Sequence, residues 1–230
     1  MKNRLIKTLN IKRFKLVLLL EGLLVGILAG LVIVGYRICL TNGALWLQRI
    51  LAYCKQSIFT IIIWFVILFV IALVVTKLLD WESLISGSGI PQLEGELAGK
   101  IDAKWWRVLI AKFFGGFLAN FSGLALGREG PSIQLGAMVG KGIGKVLKRG
   151  KTEERYLLTC GASAGLAAAF HAPLAGVMFA LEEVHKHFSA PLLISVMTSS
   201  IAADYLMSSI LGMAPVFSFN IHGTLPTQYY

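Results

Sequence analysis

Residues 57–76 read SIFTIIIWFVILFVIALVVT, twenty consecutive positions without a charge. At about 1.5 Å per residue such a run crosses a hydrocarbon core of about 30 Å as an α-helix. In lipid only a helix or a closed barrel satisfies its own backbone, so the rest of the chain has to be compatible with a membrane fold. The composition agrees: 56% of the 230 residues are hydrophobic and only 15% are charged, far from the balance of a soluble domain.

Leu16 to Leu40 is a second apolar stretch, with one acid, Glu21, near its start and glycines at 22, 26, 30 and 35. Gly22, Gly26 and Gly30 recur every four residues and line small residues along one helix face, the pattern of close helix packing in membranes. The stretch is too long for a signal peptide and lacks a small-residue cleavage site, so it reads as a retained helix.

The net charge of +10 is unevenly placed. Lys2, Arg4, Lys7, Lys12, Arg13 and Lys15 precede the first helix with no acid among them, which sets the N-terminus in the cytoplasm. Arg49 and Lys55 then fall in an external loop, and the basic segments 77–107 and 141–155 in the cytoplasm. Beside so much apolar sequence the charge reads as topology, and no nucleic-acid partner is expected. Cys39, Cys54 and Cys160 are too few and too scattered for a disulfide framework or a metal site, and read as packing residues.

Beyond the second helix, spans and loops no longer alternate cleanly. Val108 to Leu126 contains Gly115, Gly116, Asn120 and Gly123 and runs into the pair Arg128 and Glu129; Ser132 to Gly144 follows. Leu157 to Val184 is broken by AFHAPLAG, which predicts two half-helices meeting near the midplane, and a last span runs from Pro191 to about Leu211. Pro173 to Val184 is only about 18 Å long as a helix and cannot cross the core by itself.

Three prolines punctuate this part: Pro91 in SGSGIPQLEGEL, Pro131 in LGREGPSIQLG and Pro173 in AFHAPLAGVMF. Proline is favoured where a helix begins, because its missing N–H has no intrahelical partner there. Three helix N-termini are therefore expected inside apolar sequence. Each presents unpaired N–H groups and a partial positive charge, so ends converging at bilayer depth would hold an anion. Discontinuous helices aimed at a midplane site are a transporter device.

An ionised side chain at that depth is costly and usually functional. Glu129 lies next to such an N-terminus, where its carboxylate is itself the anion best placed to fill the site. Deprotonated, it competes with a permeating anion; protonated, it has no reason to stay. The residues alone thus suggest a proton-operated gate.

In order and spacing, GSGIP at 87–91, GREGP at 127–131 and AAFHAPLAGVMFALEEV at 168–184 resemble the signature segments of the CLC chloride channels and chloride/proton exchangers, bacterial branch. The resemblance implies an all-α polytopic membrane fold with re-entrant half-helices, one repeat of an inverted-repeat subunit. It divides the chain into a basic cytoplasmic N-terminus at 1–15, the transmembrane repeat at 16–212, and, at 213–230, the start of a connection to a second half. It implies anion binding by Ser88, Gly89, Ile90 and Gly130, gating by Glu129, and proton transfer by Glu183, the second acid of the EE pair. Chloride and protons would be the transported partners in a lipid bilayer, the plasma membrane, and no enzyme activity, cofactor or metal is expected. The family dimerises largely through its second half, which also supplies a GxFxP motif and a tyrosine over the central site; nothing in this chain resembles those. The alternatives are a truncated or accessory chain that does not transport, and a transporter of fluoride or another halide.

Plainer roles stand beside these. Ser88 could cap the helix starting near Pro91, with or without binding an anion. Arg128 is expected to tie a carbonyl or acid, Glu94 and Glu96 to pair with nearby cations, and His171 to pack or cap. Glu182 and Glu183 at a helix C-terminus oppose the macrodipole unless water reaches them. EEVHKH at 182–187 is a poor metal site, since His185 and His187 do not share a helix face.

Overall fold

The computed structural model describes residues 2–55, 57–186 and 188–212, with side chains in the first helix from Leu16 onward. The proposed connection at 213–230 lies outside the described residues. Every regular element among those described is helical: α1 (Lys2–Cys54), α2 (Ile58–Trp81), α3 (Ile90–Leu97), α4 (Trp105–Phe121), α5 (Glu129–Val146), α6 (Lys151–Phe170), α7 (Pro173–Phe179) and α8 (Ala190–Leu211). A 3₁₀ turn, Ser83–Ile85, precedes α3, and a π-helical turn, Ala180–His185, follows α7. Leu16–Cys54, Ile58–Trp81 and Ala190–Leu211 are long and apolar enough to cross a membrane.

Two expectations about length are corrected. The first helix does not stop at Leu40 but continues to Cys54, leaving only 55–57 before α2, so no extended loop holds Arg49. Nothing between Cys39 and Cys54 stops a helix except the single Gly43, and there the absence of a side chain is used: a Cβ would come within 3.0 Å of the Phe117 ring on α4. The first part of the broken segment is likewise no half-helix. The polar residues KTEERY extend it to twenty residues, with Glu153 accepting from the Gly150 N–H at 3.3 Å in its first turn. The break itself falls where the sequence places it, at His171 and Ala172.

Helices touch backbone to backbone at two seams. Along α5 and α6, which run antiparallel, Ser132, Gly136 and Gly140 face Gly165, Gly161 and Leu157. A Cβ on Gly140 would lie 2.7 Å from the Leu157 carbonyl carbon, and one on Gly165 2.9 Å from that of Ser132. Along α1 and α8, which run parallel, the glycine stripe foreseen in α1 meets Ser195, Ser199 and Ala203: a Cβ on Gly26 would be 2.8 Å from the Ser199 Cα, and one on Gly30 3.0 Å from that of Ala203. Lipid gives helices no hydrophobic reason to associate, so this close van der Waals contact and interhelical hydrogen bonds do so. Ser195 Oγ donates to the Leu18 carbonyl at 2.8 Å and Ser199 Oγ to that of Cys160 at 3.0 Å. By contrast α2 fully buries only Trp64 and Ile71; Leu78 and Leu79 in its last turns pack on the core, and most of its other apolar residues are exposed.

Charges inside the bundle are paired. Lys141, fully buried on α5, donates to Glu96, to Asp102 at 2.7 Å and to the Ala103 carbonyl at 2.7 Å; Glu96 also accepts from the Ala103 N–H at 2.8 Å. This knot ties the end of α3 to α5, and the Lys141 hydrogen bond and charge hold the exposed Asp102 carboxyl below its usual range. Arg149 donates from Nε to Glu21 at 2.6 Å, joining the loop between α5 and α6 to α1. Glu94 pairs with Lys186 at 3.3 Å. Both glutamates expected to be paired are so, though with cations distant in sequence.

The α1–α8 seam can be tested by overfilling it. Gly26→Leu meets Ser199 backbone that cannot rotate away, at a cost of about 1–3 kcal/mol, and should lower the thermal unfolding midpoint in detergent by roughly 2–10 °C. Gly35→Leu, where a Cβ meets nothing within 4 Å, should leave the midpoint unchanged. Equal effects of the two would remove the seam as the cause.

Candidate functional site

Two of the three interrupted segments meet. The turn before α3 runs Ser86-Gly87-Ser88-Gly89, with Gly87 at φ 66° and Gly89 at φ 93°, a conformation that favours glycine at both positions. Gly89 is the N-cap of α3 and Pro91 lies in its first turn, as expected. At the start of α5, Glu129 and Gly130 are the first two helical residues, so Pro131 stands third rather than first. Any of the first few N–H groups of a helix is unpaired, so proline marks the first turn without fixing its position there. The ladder of α5 begins with the Ser132 N–H donating to the Arg128 carbonyl at 3.0 Å, which leaves the Glu129 and Gly130 N–H groups outside it.

Gly130 allows the two N-termini to touch: a Cβ there would lie 2.5 Å from the Ser88 carbonyl oxygen and 3.0 Å from its Cα. Beside this contact opens a cavity of about 570 Å³ whose lining includes Ser86, Gly87, Ser88, Lys112, Glu129 and Gly130. Of the residues assigned to anion binding, Ser88 and Gly130 line it. Gly89 is buried at the cap and Ile90 is half-buried, its N–H donating to Ser88 Oγ at 3.4 Å. The cap position itself belongs to Gly89, so Ser88 stands one residue before the place weighed for it and only accepts this bond from the first helical N–H.

A second cavity, of about 460 Å³, is lined by Leu40, Thr41, Asn120 and Arg128 among others, and shares Leu126, Gly127 and Glu129 with the first. Glu129 therefore borders both spaces. Its Oε2 folds back over Gly127, where a Cβ would come within 2.6 Å of it. Among the described residues no hydrogen bond or ion pair ties this carboxylate, and none ties the Arg128 guanidinium, so the partner expected for Arg128 is not found there.

The third N-terminus does not join them. Pro173 begins α7 as expected, but Gly176 packs against Ser163 and Ala167 of α6, and neither cavity is lined by α7. Beyond it, Glu182 and Glu183 lie in the π-helical turn instead of at an α-helix end, and both are exposed, which removes the burial cost of two adjacent acids. Beside them His185 Nδ1 lies 2.9 Å from Thr159 Oγ1 and its ring packs on Tyr156. His187, the other member of the weak metal motif, lies outside the described residues. Glu96, Asp102 and Glu154 bring carboxylate oxygens within 4.8 Å of one another, but Lys141 and Lys145 already hold them.

His171 does more than cap. It closes α6 at φ 55°, and its ring spans two helices: Nε2 accepts from Arg37 on α1 at 3.1 Å, while Nδ1 lies 3.2 Å from Asp204 and 3.3 Å from Ser208 on α8. With Arg37 donating, the neutral ring carries its proton on Nδ1, toward the Asp204 carboxylate. Only an expectation that Asp204 and Arg37 need partners could have found this node, since the three residues are scattered along the chain.

Accessibility distinguishes Glu129 from its neighbours. With Cys39, Cys54 and Cys160 replaced by alanine, Glu129→Cys should react with a small charged thiol reagent, read by mass spectrometry. Ser132→Cys, one turn on and buried, should not. Equal labelling of both would contradict the two-cavity position.

The chain's similarities fit this architecture. A family model described as "Voltage gated chloride channel" matches residues 69–230. The H(+)/Cl(-) exchange transporter ClcA of Vibrio cholerae is 45% identical over 136 residues, 58% of this chain and 29% of that protein. ClcA of Yersinia pestis is 35% identical over 218 residues, 89% of this chain and 45% of that protein. Among solved structures, a slow cyanobacterial Cl⁻/H⁺ antiporter matches with a TM-score of 0.79 and 32% identity, over 92% of this chain and 51% of that one. A CLC-type fluoride/proton antiporter shares the fold at a TM-score of 0.65 and 24% identity, with the same coverage. The chain thus spans less than half the length of these curated relatives and about half of the solved chains. Its two touching helix starts, its all-α architecture and these matches together make it a member of the voltage gated chloride channel (CLC) family.

Proposed function

We propose that this chain supplies one side of a transmembrane passage in which chloride is exchanged for protons, with Glu129 as the gate. The observation that carries this is the place of Glu129, in the first turn of α5, next to the Gly130 that meets Ser88 and bordering both cavities. A carboxylate there closes the connection and occupies the helix-end field that would otherwise hold an anion. Protonation removes its charge and so its claim on that site. Ser88, the Gly89 and Ile90 N–H groups at the start of α3, and Gly130 are the anion's contacts in this reading.

Glu183 is the proton-transfer residue. It is exposed, so a proton reaches it from water, and it stands about ten residues, roughly 15 Å along a helix, from Pro173. It lines neither cavity, which keeps its proton off the anion's route. The basic N-terminus then faces the cytoplasm of a cell bounded by this membrane. A dehydrated anion needs ligands all round, and the helix ends described here supply them from one side only.

Two preparations test the reading: liposomes holding residues 1–230 alone, and liposomes holding a chimera in which they replace the matching part of Yersinia ClcA. The chain alone should show no chloride efflux above background, and the chimera should exchange chloride for protons. In the chimera, Glu129→Gln should abolish proton coupling and the pH dependence of chloride flux, because glutamine imitates the neutral acid permanently. Glu183→Gln should leave chloride moving while chloride-driven proton uptake disappears. Proton-linked efflux from the chain alone would place the whole passage within it. Unchanged pH dependence in Glu129→Gln would remove the gate.

A further inference from the structure

The turn that leads to Ser88 has an unusual feature beside the first cavity, which Ile85, Ser86, Gly87 and Lys112 all line. Four successive carbonyl groups, those of residues 84 to 87, are each taken by a side-chain donor from elsewhere. Gln134 Nε2 on α5 donates to the Leu84 carbonyl at 2.8 Å. Lys112 Nζ on α4 donates to that of Ile85 at 2.8 Å and to that of Gly87 at 2.7 Å. Gln92 Nε2, from the first turn of α3, donates to that of Ser86 at 3.0 Å. Lys112 and Gln134 are themselves buried, 4% and 1% exposed, and the Lys112 bond to Ile85 is fully buried, whereas the Gln92 bond to Ser86 is exposed.

The amides make these bonds at the expense of their other ends. Gln92 Oε1 and Gln134 Oε1 are both buried without a hydrogen-bond partner. A buried acceptor left unmade is unfavourable and rare in native structures, and asks for a reason. Here the reason is the Nε2 group: turning either amide over would satisfy no acceptor on the loop and would set oxygen against a carbonyl oxygen. Gln134 also lies against Gly89, where a Cβ would be 2.6 Å from its Oε1, so the same side chain excludes a larger residue at the α3 cap.

The consequence is electrostatic. A loop of small residues beside an anion path can present either N–H groups or carbonyl oxygens to it, and an oxygen facing the path repels an anion and attracts a cation. From the four pinned carbonyls we infer that Lys112, Gln134 and Gln92 are positioning residues that keep the oxygens of 84–87 engaged with donors instead of free to face the passage, and so set its preference for anions. The inference rests on the anion passage proposed above and adds to it three side chains that need not touch the ion. Gln92 and Gln134 cost no net charge, and Lys112 keeps its amine engaged with carbonyls, where it orients the loop without trapping the anion.

The test uses the Yersinia ClcA chimera in lipid nanodiscs, with ¹⁵N signals of Gly87, Ser88 and Gly89 and ¹³C signals of the 84–87 carbonyls followed during titration with sodium chloride and with sodium gluconate. The wild type should respond to chloride and not to gluconate. Gln134→Met, Gln92→Met and Lys112→Met should each move the carbonyl signal of the bond they remove and raise the chloride concentration for half-saturation roughly five- to tenfold, the worth of one hydrogen bond. Lys112→Arg, which keeps donors in place, should restore near-wild-type binding. If a Met variant fails to give the wild-type elution profile and helicity, the comparison of Lys112→Arg with the remaining variant decides. Moved carbonyl signals with unchanged chloride titration would overturn the positioning role while leaving the anion site standing. A wild type that does not respond to chloride would overturn the anion-site reading and this inference with it.

Discussion

The direct backbone contact between α5 and α6 is the constraint from which the site follows. With glycine at 136, 140, 161 and 165, the two helices approach until main-chain atoms meet, and no side chain is left between them to allow sliding. That contact fixes the height of α5, and with it where its first turn ends. Gly130 then repeats the device against Ser88, so the mutual position of the two helix starts is set by covalent backbone instead of by rotamers. At its other end α5 is held by Lys141, whose buried charge is matched by Glu96 and Asp102 and by the Ala103 carbonyl. Removing one partner of such a cluster costs far more than the cluster contributes, so it acts as a specificity lock on the α3–α5 arrangement.

Much of this was written in local sequence. Ser57–Thr76 became the N-cap and body of α2, Pro91 and Pro173 lie in the first turns of α3 and α7, and the Gly22/Gly26/Gly30 stripe became a helix seam, because each rests on a property of a few consecutive residues. The misreadings share another origin. α1 and α6 are longer than their apolar runs because helix formation does not end where hydrophobicity does; polar residues such as those of KTEERY continue a helix without penalty once it leaves lipid. Pro131 misled by two positions for the reason that its missing N–H is harmless anywhere in a first turn. The π-helical turn at Ala180–His185 carries no sequence signal that separates it from an α-helix.

The candidate site was legible only in part. Ser88, Gly130 and Glu129 come from motifs and do converge, whereas the third helix start packs on α6 and does not. Its proline announced that a helix begins, and nothing in such a signal says where the end points. Gln92, Lys112 and Gln134 could not be found from sequence, because their partners are carbonyl groups, which every residue has. His171 was seen as a cap, but its bridge from Arg37 to Asp204 depends on three helices being brought to one place.

The bareness of α2 has a mechanical side. Its contacts gather at Trp64 and Ile71 and in its last turns, where Leu78 and Leu79 pack on the core and Trp81 on Trp106, before Glu82 caps it and the 3₁₀ turn and Ser86 follow. The exposed remainder of the helix is where bilayer thickness acts, at fractions of a kcal/mol per Å of mismatch. The loop bearing Ser88 continues directly from that helix and is tied, through its carbonyls, to α4 and α5. A bilayer of mismatched thickness would therefore load this loop through α2, whose Val75 and Leu79 line the first cavity.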